Sequence, residues 1–510
     1  MKYIEKDFCW LLLLAVIFFV PINGCAAKKP YVKKILKDNQ PDKLKRDYPA
    51  KNLISKAYAH YLRGLLYEYN HDLNAAVDEY TQAVRYDQSS SSLNIKLGTA
   101  YFRQGKFDAA IDQLEKVLKI EPDNINVRLI LGVIHTALGD FQKASELYRQ
   151  IIALDPKNKQ ARLSLADLHI LERQLEKAII IYEQMAAEGI QLPYLYFNLG
   201  MIYSQLNKYD LAISNLEKTI ELAPDYLEAY LGLGLVYELK KENLKSEQAY
   251  EKAISLNPEN PLAYFRLGQM YAEREMLDAA LEQFQKVKEL NSRIVDVYFE
   301  TAHIYLKQEK TDQAIEVLRQ AEPLLKNKSR LFLLLGLAHS IKDDYARAED
   351  YYYKTLALNP NDELVYFYLG ALYEKQGKRE SAKKQFLKTL EINSQNSDAC
   401  NYLGYMMVEA GENMEEAIAL INRALAIEPE NGAYIDSLGW AYFKQGKIDE
   451  ALKCLKNAAE LLAADPVIYD HLGDAYLKKG LINEAKEAWL KSLQIDPDQE
   501  EINKKLEQLK

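Results

Sequence analysis

The chain has 510 residues, 48% of them apolar and 27% charged, with a formal net charge of −9 at pH 7. This is the composition of an ordinary folded soluble chain rather than of a disordered one. The charge is uneven. Residues 28–51 carry nine Lys/Arg against three Asp/Glu, a net +6, while residues 1–27 balance, so the remainder holds −15 and repels nucleic-acid phosphates.

Met1–Cys25 reads as an export signal. Phe8–Val20 is an apolar run too short to span a bilayer. It gives way to Pro21-Ile22-Asn23-Gly24-Cys25. This ending resembles a bacterial lipobox. The resemblance implies that residues 1–24 are removed as a lipoprotein-type signal peptide and that Cys25 is acylated. Ala26, where Asp would signal retention, implies an outer-membrane lipoprotein facing the periplasm, with inner-membrane anchoring or secretion as the alternatives. Residues 25–56 form the acylated N-terminus and a tether rich in Lys, Pro and Asp. It suits contact with an anionic lipid surface or a plain solvated linker.

From residue 57 one pattern runs through the chain. A small residue after leucine acts as a ruler and falls at Gly64, Gly98, Gly132, Ala166, Gly200, Gly234, Gly268, Ala302, Gly336, Gly370, Gly404, Gly439 and Gly473. Eleven of the twelve intervals are 34 residues and one is 35. Twelve after the ruler stands alanine (Ala76, Ala110, Ala144), with Ser246 the exception. Three after it stands tyrosine in most units, and a proline such as Pro122, Pro156 or Pro224 closes many of them. Within Leu93–Phe102 and Ala109–Ile120 the apolar residues recur at helical spacing, separated by the polar turn Arg103-Gln104-Gly105-Lys106. Each unit therefore reads as helix, tight turn, helix, ended by its proline.

These landmarks resemble the tetratricopeptide repeat, with the first aromatic slot mostly Tyr, Phe or another apolar residue in place of tryptophan. The resemblance covers residues 57–498. It implies an all-α α-solenoid of about thirteen 34-residue helix-turn-helix repeats in a superhelix with a concave groove. The seventh and eighth units lack the closing proline and predict softer packing. The eleventh carries the one inserted residue, within residues 410–415. Residues 499–510, with Ile502, Leu506 and Leu509 on one side, predict a C-terminal capping helix.

No H-E-x-x-H, G-x-S-x-G or G-x-x-x-x-G-K-[ST] motif is present, so the chain reads as non-enzymatic, without cofactor or metal. His135, His169 and His339 each occupy the tyrosine slot of a different repeat, which points to core packing. Cys400 and Cys454 fall on apolar slots and read as free buried thiols.

In the resembled family the slots three before and one after the ruler line the groove. The three-before slot is apolar in mid-chain: Phe197, Leu231, Phe265, Phe299, Leu333, Phe367. In the last three repeats it becomes Asn401, Asp436 and Asp470, while the one-after slot holds Tyr405, Trp440 and Asp474. This change of polarity makes the six residues a candidate partner-binding surface. The alternative is that they bond neighbouring repeats. The apolar stripe suits packing, or an amphipathic partner helix. The function expected is a membrane-anchored scaffold mediating protein–protein interactions at the bacterial cell envelope. The alternative is a periplasmic lipoprotein for exopolysaccharide export or carbohydrate binding, since Tyr and Trp beside carboxylates suit sugars.

Overall fold

The computed structural model describes residues 53–509. The expected signal, Cys25 and tether residues 25–52 lie outside them. The described residues form thirteen helical hairpins and a final helix, with no strand. The first six hairpins are α1 (Leu53–Tyr69) with α2 (Leu73–Tyr86), α3 (Ser91–Arg103) with α4 (Phe107–Ile120), α5 (Ile125–Ala137) with α6 (Phe141–Leu154), α7 (Lys159–Leu171) with α8 (Leu175–Ala187), α9 (Pro193–Gln205) with α10 (Tyr209–Leu222), and α11 (Leu227–Leu239) with α12 (Asn243–Leu256). The next seven are α13 (Pro261–Glu273) with α14 (Leu277–Leu290), α15 (Val295–Lys307) with α16 (Thr311–Ala321), α17 (Ser329–Ile341) with α18 (Tyr345–Leu358), α19 (Glu363–Lys375) with α20 (Arg379–Ile392), α21 (Ser397–Ala410) with α22 (Met414–Ile427), α23 (Gly432–Lys444) with α24 (Ile448–Leu461), and α25 (Pro466–Lys479) with α26 (Ile482–Ile495). The last helix, α27 (Glu500–Glu507), follows them. The chain divides at Asn257/Pro258 into two compact units. Each is a stretch of α-solenoid in which hairpin stacks on hairpin.

The ruler residue sets the spacing within a hairpin. A Cβ on Gly370 would stand 2.6 Å from the Phe386 ring, and one on Gly336 2.6 Å from the Tyr352 ring. The slot sixteen after the ruler thus holds a large side chain laid across the glycine. Tyr80, Tyr250, Phe284, Tyr352, Phe386 and Trp489 fill it and are among the most deeply buried side chains. In two hairpins the ruler is alanine, Ala166 and Ala302, and both are fully buried. The alanine twelve after the ruler is fully buried in each hairpin that has one. In its one exception, Ser246, the hydroxyl donates to the Gly234 carbonyl at 2.9 Å.

Turns and caps follow the same beat. The residue seven after the ruler adopts a left-handed conformation. It is glycine at Gly105 (φ +72°) and Gly446 (φ +77°), but also Arg173, Asn207, Lys241, Glu275, Glu309 and Asp343 at φ between 56° and 61°. Eight before the ruler, an Asn often caps the first helix: Asn124, Asn158 and Asn396 accept from Val127, Ala161 and Ala399 amides at 3.0, 3.0 and 2.8 Å. The inserted residue is absorbed in the turn after α21, where Gly411 (φ +68°) is followed by Asn413 (φ +30°), which caps α22. The eighth hairpin does contain a terminating proline, three residues ahead of the usual slot. Pro323 ends α16 early in a 3-10 turn over Glu322–Leu324.

Between repeats, the tyrosine three after the ruler reaches back to the preceding second helix. Tyr203 donates to Glu183 at 2.5 Å and Tyr373 to Glu349 at 2.6 Å. A second link joins the residue six after one ruler to that ten after the previous one: Lys240 to Asp210 (2.7 Å), Lys342 to Asp312 (2.5 Å), Lys479 to Asp449 (2.6 Å) and Gln308 to Asp278 (3.2 Å). These links are exposed, so each adds little alone. Helix α27 packs with Ile502 buried against Ala485 and Trp489 and with Leu506 and Leu509 beside it.

A Cβ at Gly105 would meet nothing within 4 Å, so only backbone strain opposes a side chain there. Gly105→Ala is expected to cost about 1 kcal/mol, whereas Glu309→Gly is expected to be neutral or stabilising by less than about 1 kcal/mol. Denaturant midpoints of the two variants should therefore move in opposite directions or only the first should move.

Candidate functional site

The first helices of successive repeats lie side by side within each unit, which brings the same slot of neighbouring repeats together. In the last three repeats α21 supplies Asn401, Tyr405 and Glu409. Helix α23 supplies Asp436, Trp440 and Lys444, and α25 supplies Asp470, His471 and Asp474. The six residues lie on the first helices of three successive repeats, and four of them, Asp436, Trp440, Asp470 and Asp474, are held by partners the sequence reading missed.

At its centre Asp436 and His471, both buried, pair across two repeats. His471 Nδ1 lies 3.0 Å from each carboxylate oxygen of Asp436. The Trp440 ring lies flat on His471, centroids 4.0 Å apart at 16°, and on its other neighbour Phe443 at 4.8 Å. The Trp440 indole N–H donates to Glu409 at 2.5 Å. Lys444 stands 3.3 Å from the same carboxylate and 4.8 Å from the Trp440 ring centre. Burial pushes the Glu409 carboxyl up, but the Trp440 hydrogen bond and the Lys444 charge outweigh it, and its pKa is lowered.

Beside this core, Lys505 of α27 bridges Asp470 at 2.6 Å and Asp474 at 2.7 Å. Burial raises the Asp474 pKa despite that ammonium. Lys505 has its own pKa raised: burial opposes its charge, and the two carboxylate hydrogen bonds overcome this. Asn401 and Tyr405 are half-buried. Asn401 Oδ1 is itself buried and has no hydrogen-bond partner among the described residues. The Tyr405 hydroxyl is raised in pKa by burial and by the carboxylates of Glu409, Asp436, Glu374 and Asp470 around it. Of the six, Asn401 and Tyr405 are thus the pair whose polar groups are least engaged by neighbouring repeats. One signal for the missed partners was available: Asp436 and His471 are 35 residues apart, one repeat and one slot.

The mid-chain apolar slots pack. In the first unit Phe197 sits against Tyr226 at 5.3 Å between ring centres. In the second, Phe265 meets Phe284 at 5.7 Å, Phe367 meets Phe386 at 5.8 Å, and the Arg330 guanidinium lies 4.5 Å over the Phe299 ring. His135, His169 and His339 are buried in the tyrosine slot. Burial lowers the pKa of His169 and His339. Cys400 and Cys454 are free thiols in separate apolar clusters, Cys400 against Ala424 and Tyr434, Cys454 beside Ile435 and Ile468. Among the described residues no group of His, Cys, Asp or Glu is arranged to hold a metal ion.

The first unit has a polar cluster of its own in the equivalent slots, also missed from sequence. Asp167, one after its ruler, accepts from Tyr182 at 2.5 Å, and Asn198 of the next repeat donates to the same Tyr182 oxygen at 3.0 Å. Burial raises the Asp167 carboxyl to about 6 against the hydrogen bonds from Tyr182 and Tyr194.

Family models described as tetratricopeptide repeat match this chain at residues 57–90, 88–157, 135–189, 193–226, 227–260, 249–282, 299–363, 365–396 and 467–499, and one described as TPR repeat matches residues 439–480. No curated protein matches. Among solved structures, the APC/C hetero-tetramer Cut9–Hcn1 is similar at 16% identity and a TM-score of 0.44, over 82% of this chain and 96% of that one. Yeast Tom70 is similar at 18% identity and a TM-score of 0.43, over 88% of this chain and 99% of that one.

Two outcomes follow from these clusters. Lys505→Met leaves Asp470 and Asp474 facing each other. It should destabilise by roughly 1–3 kcal/mol at pH 7, and by less as the pH falls and the carboxylates protonate. Asp167 binds its proton more tightly folded than unfolded, so it detracts from stability as pH rises from about 4 to about 6, and fully above that. Asp167→Asn should therefore melt higher than the parent at pH 7, with the gain lost by pH 4. A gain independent of pH would contradict the assignment.

Proposed function

Because the chain belongs to the tetratricopeptide-repeat family, we propose that it is a scaffold which holds a protein or peptide partner along its first-helix face, moored to a bacterial cell envelope through a lipid on Cys25. Proteins built of these repeats are generally non-enzymatic scaffolds suited to protein–protein interaction. The observation that carries the partner face is the side-by-side set of first helices in the second unit. There the change from Phe and Leu to Asn401, Tyr405 and the acidic residues gives one end of the face its own chemistry. Asn401 and Tyr405 are its recognition pair, since Asp436, Trp440, Asp470 and Asp474 are tied to His471, Glu409 and Lys505. The sugar-binding alternative is weaker because Trp440, 8% exposed and stacked against His471 and Phe443, offers little free ring surface. The mooring rests on the lipobox-like Pro21–Cys25 and the apolar run before it, and Ala26 favours the periplasmic face of the outer membrane.

A photoreactive phenylalanine at position 405 should give discrete protein adducts in the envelope, and the same probe at the exposed Lys453 of α24 should not. Adducts to polysaccharide, or equal adducts at both positions, would contradict the reading. Cys25→Ser should move the protein out of the membrane fraction; an unchanged fraction would rule out the lipid.

A further inference from the structure

In several repeats the first helix is covered by the repeat before it. The slot two before the ruler makes that contact. Asn198 there bonds to Tyr182, Gly232 lies close to Met201 and Leu216, and His471 pairs with Asp436. At the carboxyl end of the second unit α27 supplies the last cover, with Ile502 on Trp489. At the amino end of the first unit, Leu62 occupies the same slot and is 46% exposed. It belongs to a stripe down α1. Ile54, Tyr58, Leu62 and Tyr69 recur at helical spacing, with Leu53 alongside, and the other four are 57–64% exposed.

We propose that this face of α1 lies against an anionic lipid bilayer. Three observations select that occupant over a second copy of the chain or a partner protein. The tether that leads directly into α1, residues 28–51, carries nine Lys/Arg against three Asp/Glu, whereas the rest of the chain beyond residue 27 is strongly acidic. An anionic surface therefore attracts this end and repels the remainder, which orients the molecule. The stripe is of the type that seats at an interface: aliphatic Leu53, Ile54 and Leu62 between tyrosines whose rings are apolar and whose hydroxyls stay wet. Its five side chains expose on the order of 600 Å², a patch large enough to mark an interaction site but short of the roughly 800 Å² per partner of a stable protein interface. A bilayer needs no matched protein surface, and the tether's charges add to what the stripe contributes. The contact is separate from the lipid proposed on Cys25 and does not require it.

The test uses the full chain, as parent and as Cys25→Ser, with phospholipids bearing a photoreactive acyl chain, and maps adducts by mass spectrometry. In vesicles of phosphatidylglycerol and phosphatidylethanolamine, adducts should appear within residues 53–69 in both forms. They should fall at least about tenfold in phosphatidylcholine alone or in high salt, where the tether's attraction is absent or screened. Tyr58→Asp with Leu62→Asp should abolish them while adducts in residues 25–52 persist. Thermal melting confirms that this variant is folded, and Tyr58→Ser alone, which perturbs the fold less, should give an intermediate yield. Adducts confined to residues 25–52 would overturn the proposal while leaving the mooring intact. Crosslinks between two copies at positions 58 and 62, or to another protein, would overturn it in favour of those occupants. Loss of membrane association in Cys25→Ser with adducts at 53–69 unaffected in the parent would show that the face needs the lipid, contradicting its independence.

Discussion

The close approach of two helices across a residue without a side chain is what the rest of this structure depends on. At Gly370 or Gly336 the absent Cβ is the space into which Phe386 or Tyr352 lies. A ring buried there occupies the interior of the hairpin and stacks on the next repeat, Phe386 on Tyr402 at 5.3 Å and Tyr352 on Tyr368 at 6.1 Å between ring centres. Ala166 and Ala302 take the same place with one methyl each, fully buried. Because interiors are close-packed, a change of that size at the ruler propagates to whatever the second helix touches. Eleven repetitions of this one contact, with alanine in its place twice, accompany the regular stacking and the parallel set of first helices on which a partner face can be built.

On that frame the links between repeats are graded. The exposed pairs such as Lys240–Asp210 contribute register more than stability. The buried ones are of a different kind. Asp436–His471 and the Asp167–Tyr182–Asn198 cluster place polar groups where neighbouring repeats must align for them to be satisfied. A partner face needs such rigidity, since a groove whose walls slide loses more entropy on binding. The Lys505 bridge extends the same device to the cap, so the polar end of the face is fixed by the last helix of the chain.

The fold was legible in the sequence because its determinants repeat at fixed spacing. A small residue in all thirteen units, an alanine in twelve and a tyrosine in nine recur in step and leave one arrangement open, and the apolar slots Phe197, Phe265 and Phe367 pack as their helical spacing suggests. What the ruler glycine faces was not read. The slot sixteen after it alternates among Tyr, Phe, Leu, Ile and Trp, and shares only size. Pro323 escaped because it stands out of step. Glycine takes the left-handed turn position at Gly105, yet Arg173 and Lys241 adopt the same conformation, which the hairpin imposes on them. At the candidate site, Asn401 to Asp474 could be found by slot, since polarity breaks with the pattern. Their partners could not. Glu409, His471 and Lys505 lie 31 to 35 residues away from Trp440, Asp436 and Asp470, and Lys505 sits beyond the last repeat, where the ruler no longer applies.

The central claim is that the ruler glycine and the side chain laid across it act as one element. A double-mutant cycle tests it most directly: denaturant unfolding of the parent, Gly370→Ala, Phe386→Ala and the variant carrying both. If the two positions share one space, the alanine at 370 is tolerated once the ring is gone, and the double variant is more stable than the sum of the single losses predicts by about 1 kcal/mol or more. Losses that simply add would contradict the account.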